Sequence, residues 1–169
     1  MKNIVLTGFM GTGKTEVGKE LSRLLGMRVV DIDHEIEESQ GSTISDIFAD
    51  RGEDYFRTVE TEVIRRISAQ HGIIISTGGG AVLKEENVKA LQDSGVIFCM
   101  TANTDTILRR TEGNDERPLL RCADKRTTIT SLLEQRRPYY EKAGLLIHTD
   151  GKTPLQVAEE IIGKVPWRR

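Results

Sequence analysis

The sequence predicts an α/β fold in which helices cover both faces of a five-stranded parallel sheet, a three-layer αβα sandwich. Two observations lead there. Five short apolar runs, at residues 4–6, 28–32, 73–76, 96–101 and 145–148, alternate with stretches of helical periodicity. The first run also leads directly into GFMGTGKT at 8–15, which has the spacing G-x-x-x-x-G-K-[ST]. Ligands of such sheets bind beyond the carboxyl ends of the strands. The loops at 8–15, 31–33 and 77–80 are therefore where the chemistry is expected.

Ile4, Val5 and Leu6 form the first buried strand. The glycines after it let the loop curl so that backbone N–H groups face an anion, and the positive end of the next helix points at the same place. Lys14 adds a mobile charge for β- and γ-phosphates, and the Thr15 hydroxyl can ligate Mg²⁺. The helix that follows carries Val17, Leu21, Leu24 and Leu25, and Gly26 suits its C-cap.

Residues 28–32, RVVDI, read as the second strand, with Asp31 and Asp33 at its end. Two residues apart in a strand, these side chains share a face. Beside a phosphate loop they suit a Mg²⁺ site or a hydroxyl acceptor. Turn or N-cap chemistry is the competing reading, because a helical stretch follows. Residues 34–50 read as short helices broken at Gly41 and Ser42, with Ser42 or Thr43 capping the piece that bears Ile44, Ile47 and Phe48. Gly52 breaks the pattern again before a longer helix with Tyr55, Phe56, Val59, Val63, Ile64 and Ile67 at helical spacing. Arg57 and Glu60, one turn apart, can pair either on a solvated face or within a site.

The third strand, IIIS at 73–76, ends in Thr77-Gly78-Gly79-Gly80. Consecutive glycines cost backbone entropy, so their presence here implies close approach of another molecule. Ser76 stands where phosphate-loop proteins often place an acidic residue associated with Mg²⁺, which leaves that role to Asp31 or Asp33. A helix over 84–93, the fourth strand at 96–101 and a helix over 104–112, starting near Thr104 or Asp105, come next. The polar stretch EGNDERPLLRCADK, 112–125, reads as a lid whose Arg117 reaches a transferring phosphoryl group on closure; a solvated loop is the plain alternative. The helix from about 126 to 142 has an apolar stripe of Ile129, Leu132, Leu133, Tyr139 and Tyr140, and Arg136 continues that stripe. An inward arginine needs an anionic or acceptor partner. Pro138 is expected to kink or reset this helix. The fifth strand, LLIH at 145–148, precedes a last helix with Leu155, Ala158, Ile161 and Ile162. His34 and His148 read as structural.

A length of 169 residues is enough for one domain around one sizeable core. With 24 Lys and Arg against 26 Asp and Glu, the net charge is −2 and the basic doublets are scattered, so neither nucleic acid nor a membrane surface is expected as a partner. No apolar run approaches a membrane span, and the N-terminus enters a strand without signal-peptide features. Cys99 and Cys122 lack metal-ligand spacing and read as free thiols of a cytoplasmic protein. No dimer-forming stripe is visible, and a monomer is expected.

GFMGTGKT at 8–15, DID at 31–33, DYFR at 54–57, STGGGAV at 76–82, RPLL at 117–120 and RRPYY at 136–140 together resemble the shikimate kinases over essentially the whole chain. The resemblance implies a P-loop NTPase fold of the nucleoside-monophosphate-kinase kind, with sheet order 2-3-1-4-5, a lid at about 112–124 and a substrate-binding region at about 33–60. It implies transfer of the ATP γ-phosphoryl group to the 3-hydroxyl of shikimate, on the route to chorismate and the aromatic amino acids. It assigns Asp33, Arg57, Gly78, Gly79 and Arg136 to shikimate, with Phe48 and Phe56 lining the pocket and Glu60 supporting Arg57. Gly11, Thr12, Gly13, Lys14, Thr15 and Glu16 would hold ATP, and Arg110 and Pro154 would flank adenine. Thr15 and Asp31 would serve Mg²⁺, Asp31 through water. Lys14 and Arg117 would stabilise the transferring phosphoryl group, and Asp33 would take the hydroxyl proton as base or orient the hydroxyl. Rival readings are a gluconate or nucleotide kinase of the same fold, or a nucleotide-dependent binding module. Two arginines beside a triple glycine suit a small acceptor bearing a carboxylate. A binding module needs a partner surface that no apolar face, basic stripe or extra domain supplies.

Overall fold

The computed structural model describes residues 2–112 and 124–168. Five strands, β1 (Asn3–Gly8), β2 (Arg28–Asp31), β3 (Ile73–Ser76), β4 (Gly95–Thr101) and β5 (Leu145–His148), form one parallel sheet in the order 2-3-1-4-5. That is the expected order. Among the described residues seven α-helices connect and cover them: α1 (Lys14–Leu25), α2 (Ile32–Gln40), α3 (Ile44–Ser68), α4 (Glu85–Ser94), α5 (Thr104–Thr111), α6 (Lys125–Ala143) and α7 (Pro154–Lys164).

The strands are apolar almost throughout because both faces are covered. On one face Val5, Ile75, Ile97 and Cys99 pack against Ile36 of α2, Phe56, Val59 and Ile64 of α3, Leu91 of α4, and Tyr140 and Ala143 of α6. On the other, Ile4, Leu6, Ile74, Phe98 and Ile147 pack against Val17 and Leu21 of α1 and Val157, Ala158 and Ile161 of α7. The sheet thus separates α1, which follows the phosphate loop, from α2, α3 and α6. Strand register makes the carboxyl ends level: Asp31 lies beside Ser76, and Ser76 beside Leu6. A further bond, Thr77 N–H to Leu6 O at 2.9 Å, carries the β1–β3 pairing into the triple glycine.

Several local expectations change. Asp33 is not on a strand: β2 stops at Asp31, which becomes the N-cap of α2 and accepts from the N–H groups of Asp33 and His34. The same-face argument for the two carboxylates therefore does not apply. Gly41 and Thr43 end one helix and cap the next as expected. Gly52 does break the helical pattern as expected: at φ 78° and ψ 174° its backbone is non-helical, and α3 is two helical pieces joined at that kink. Helix α5 begins at Thr104 as expected, with Asn103 as its N-cap. Helix α6 runs on through Pro138. Its inward stripe takes Ile129, Tyr140 and Ala143 but leaves Tyr139 exposed; three and four residues after Arg136, both tyrosines fit the stripe by spacing, and the seat of α6 turns Tyr140 inward. In α7 the same spacing buries Val157 and leaves Leu155 exposed. Among the described residues no helix is long and apolar enough to cross a membrane. The expected lid, with Arg117, and Cys122 lie outside the described residues.

Candidate active site

The phosphate loop leaves β1 at Gly8 and enters α1 at Lys14. Gly8, Gly11 and Gly13 all have positive φ. At Gly8 the requirement is doubled, because a Cβ there would sit 2.2 Å from Met100 O in the neighbouring strand. Gly13 is the N-cap of α1 and supplies no side-chain cap, so the first-turn N–H groups are not satisfied by a side chain. That is the condition for an anion to be held there. The Lys14 ammonium donates to Gly8 O at 2.7 Å and Phe9 O at 3.0 Å, lying back along the loop. Thr12 is buried and donates to Phe9 O at 2.7 Å, so its side chain braces the loop from within. Thr15 is exposed at the helix start, and Glu16 pairs with Lys19 in solvent at 2.8 Å.

The second group of candidates meets at the triple glycine. A Cβ on Gly78 would lie 3.2 Å from Asp33 Oδ1. One on Gly79 would lie 2.9 Å from Gly8 O, 3.1 Å from the Tyr140 hydroxyl and 3.3 Å from Arg136 Nη1. One on Gly80 would lie 2.6 Å from Arg57 Nη2. Three consecutive residues without side chains thus admit Asp33 from α2, Arg136 from α6 and Arg57 from α3, with the phosphate loop alongside. In this structure the groups that come close to the glycines are the protein's own polar side chains.

Each arginine is oriented. Arg57 donates to Glu60 at 2.8 Å and to Glu53 at 3.1 Å, and its guanidinium carbon lies 5.2 Å from the centre of the Phe56 ring. Phe56 in turn packs on Phe48 with centroids 4.7 Å apart. Glu60 is only 1% exposed. Burial holds its carboxyl above the usual carboxylate range, and the charges of Arg57 and Lys84 only partly oppose that. Arg136 lies with its guanidinium carbon 5.5 Å from the centre of the Phe9 ring.

Toward the outer strand β5, Arg110 bridges two loops. It donates to Gly11 O of the phosphate loop at 3.2 Å, and to Thr149 Oγ1 at 2.9 Å and Thr149 O at 3.0 Å. Thr149 is buried and held to the end of β4 through Thr101 O. Pro154 opens α7, five residues after Thr149, behind the capping Thr153. Sequence reasoning did not single out Thr149, whose type carries no signal. It placed Tyr140 in the apolar stripe and in the RRPYY motif but gave it no role at the site, although four residues after Arg136 it shares that arginine's face.

The shikimate kinase family model matches residues 10–166. The chain belongs to the shikimate kinase family. A shikimate kinase of Thermodesulfovibrio yellowstonii is 49% identical over 162 residues, covering 96% of this chain and 94% of that protein. Among solved structures, a shikimate kinase from Acinetobacter baumannii in complex with shikimate superposes with a TM-score of 0.91 at 36% identity, covering 96% of this chain and 91% of the other. A shikimate kinase from Bacteroides thetaiotaomicron gives 0.85 at 30% identity, covering 96% and 95%. Full-length agreement of this kind makes the chain a P-loop kinase of the shikimate kinase family, with ATP as its phosphoryl donor.

Proposed function

We propose that this protein phosphorylates the 3-hydroxyl of shikimate, giving shikimate 3-phosphate and ADP. The observation that carries the proposal is the convergence of Asp33, Arg57 and Arg136 on Gly78, Gly79 and Gly80, against Gly8 of the phosphate loop. Two guanidinium groups suit one ring carboxylate through charge-assisted bonds, and a carboxylate with open glycine backbone suits ring hydroxyls. Family membership supports the same acceptor.

In this reading the 3-hydroxyl oxygen attacks the γ-phosphorus, the bond from that phosphorus to the β,γ-bridging oxygen breaks, and ADP leaves. Asp33 accepts the hydroxyl hydrogen bond, orients the attacking oxygen and takes up its proton as the oxygen–phosphorus bond forms. Arg57 and Arg136 hold the carboxylate, with Gly78 and Gly79 giving the ring access and Phe48 and Phe56 walling it. Gly11, Thr12, Gly13, Lys14, Thr15 and Glu16 carry the nucleotide phosphates, and Lys14 leaves the loop carbonyls to meet them. Arg110 and Pro154 flank the adenine. Arg117, outside the described residues, completes the charge stabilisation from a lid at about 112–124. Thr15 and Asp31 offer hard oxygen donors of the kind Mg²⁺ takes together with water and phosphate, and the ion when bound neutralises phosphate charge. Asp31 Oδ1 is already engaged as a cap, in keeping with a role through water.

The same proposal makes the protein a monomer of one domain, working in the cytoplasm where ATP is supplied, with a small molecule as partner and neither nucleic acid nor membrane. The net charge of −2 supports that. The test is ADP release from MgATP in a coupled assay, with shikimate, gluconate and AMP offered separately. Turnover that depends on shikimate alone is the expected result. Turnover indifferent to the acceptor would sink the proposal.

A further inference from the structure

The carbonyls of the triple glycine are each accounted for, and the middle one differs from its neighbours. Gly78 O accepts from Ala81 N at 3.2 Å and from the Thr77 hydroxyl at 3.2 Å, and Gly80 O accepts from Leu83 N at 3.1 Å, as the chain tightens into a 3₁₀ turn. Gly79 O accepts instead from a side chain distant in sequence: the Tyr140 hydroxyl, at 2.9 Å. Tyr140 is 3% exposed and its ring packs in the core beneath the sheet. A phenol has one proton. Spent on Gly79 O, it leaves the Tyr140 oxygen able only to accept. The group on that side is Arg136, one helical turn earlier, and both Arg136 Nη1 and the Tyr140 oxygen lie close to the space above Gly79.

We infer that Tyr140 is a positioning residue for the acceptor. Its hydroxyl ties the Gly79 peptide to α6, and so fixes the glycine backbone and the Arg136 guanidinium relative to each other. The inference rests on shikimate being the acceptor. A buried phenol is raised above its usual titration range, with Arg136 only partly opposing. The effect is therefore constant through neutral pH.

The test is Tyr140→Phe, which keeps the ring and removes the hydroxyl. Loss of one neutral hydrogen bond predicts a rise in KM for shikimate of roughly three- to tenfold, with kcat and the KM for ATP within about twofold. The Gly80 amide, on the far side of the Gly79 peptide, shifts in the ¹⁵N–¹H spectrum of the free protein. In a cycle with Arg136→Lys the two losses are less than additive, because both act through one carboxylate contact. Tyr140→Met fills the space without a hydroxyl and must behave alike, which covers the case of a poorly folded phenylalanine variant. An unchanged KM for shikimate, an equal rise for ATP, or strict additivity overturns the assignment while wild-type turnover leaves the proposed function standing. Wild-type protein that does not turn over shikimate overturns both.

Discussion

Glu60, sealed inside the protein, accepts a 2.8 Å hydrogen bond from Arg57, a guanidinium that reaches the triple glycine. The pair reads at two levels. In the core it is a buried carboxyl whose charged form Arg57 favours against the larger effect of burial, and at the site it aims a cation. Acidification separates the two. Burial, partly offset by Arg57 and Lys84, raises the Glu60 pKa above its ordinary value. Its folded pKa lies above its unfolded one, so Glu60 adds stability at low pH and gives it up as pH rises through the folded value. Wild type should therefore gain in melting temperature relative to Glu60→Gln as pH is lowered through that raised range. Over the same range protonation frees Arg57, and the KM for shikimate should rise in wild type. Glu60→Gln should show a raised KM, by about tenfold, without that pH dependence. Parallel pH profiles for the two proteins would refute the coupling.

Arg136→Lys tests the inward arginine. A lysine keeps the charge but loses the planar fork and its seat over Phe9. The KM for shikimate should rise by roughly tenfold or more, with the KM for ATP unchanged. A shikimate KM equal to wild type would show that Arg136 does not reach the acceptor.

Two glycine-to-alanine changes should part company. At Gly80 the backbone is ordinary, φ −90°, and the atoms nearest the added methyl belong to the guanidinium end of Arg57, a side chain that can swing away by giving up its seat. Folding should survive within about 1 kcal/mol while shikimate phosphorylation falls as Arg57 is displaced. At Gly8 the methyl meets backbone at 2.2 Å with φ 137°, and melting should drop by roughly 10 °C or more. Equal losses of stability in the two variants would contradict this.

Thr149→Val addresses the nucleotide end. It removes one acceptor for Arg110 while keeping the volume. The KM for ATP should rise by roughly three- to tenfold with the KM for shikimate unmoved. A change confined to shikimate kinetics would place Arg110 elsewhere in the mechanism.

Much of this was legible in the residues because it depends on local chemistry. Short β-branched strands, the phosphate-loop spacing, Gly26 and Gly41 as left-handed caps, and Thr43 as N-cap all follow from neighbours in sequence. Asp31 and Asp33 were misread together because a strand and the first turn of a helix put different faces on residues two apart, and the boundary fell between them. Tyr139 and Tyr140 are indistinguishable by type, and only the seat of α6 decides which is buried. Thr149 was out of reach because its partner, Arg110, is 39 residues away in the chain.

The sheet that divides the two cores also divides the two halves of the chemistry. Donor-binding groups stem from β1 and α1, whose apolar faces lie chiefly in one core. Asp33, Arg57 and Arg136 stand on α2, α3 and α6, which pack on the opposite side. Evolution can therefore rework the acceptor end through α2 and α3 with little effect on how the phosphoryl group is supplied, whereas α6, which packs on Phe9 and Met10 of the phosphate loop, ties the two layers together. A new acceptor calls for side chains on two helices of a single layer, over a strand edge that need not move.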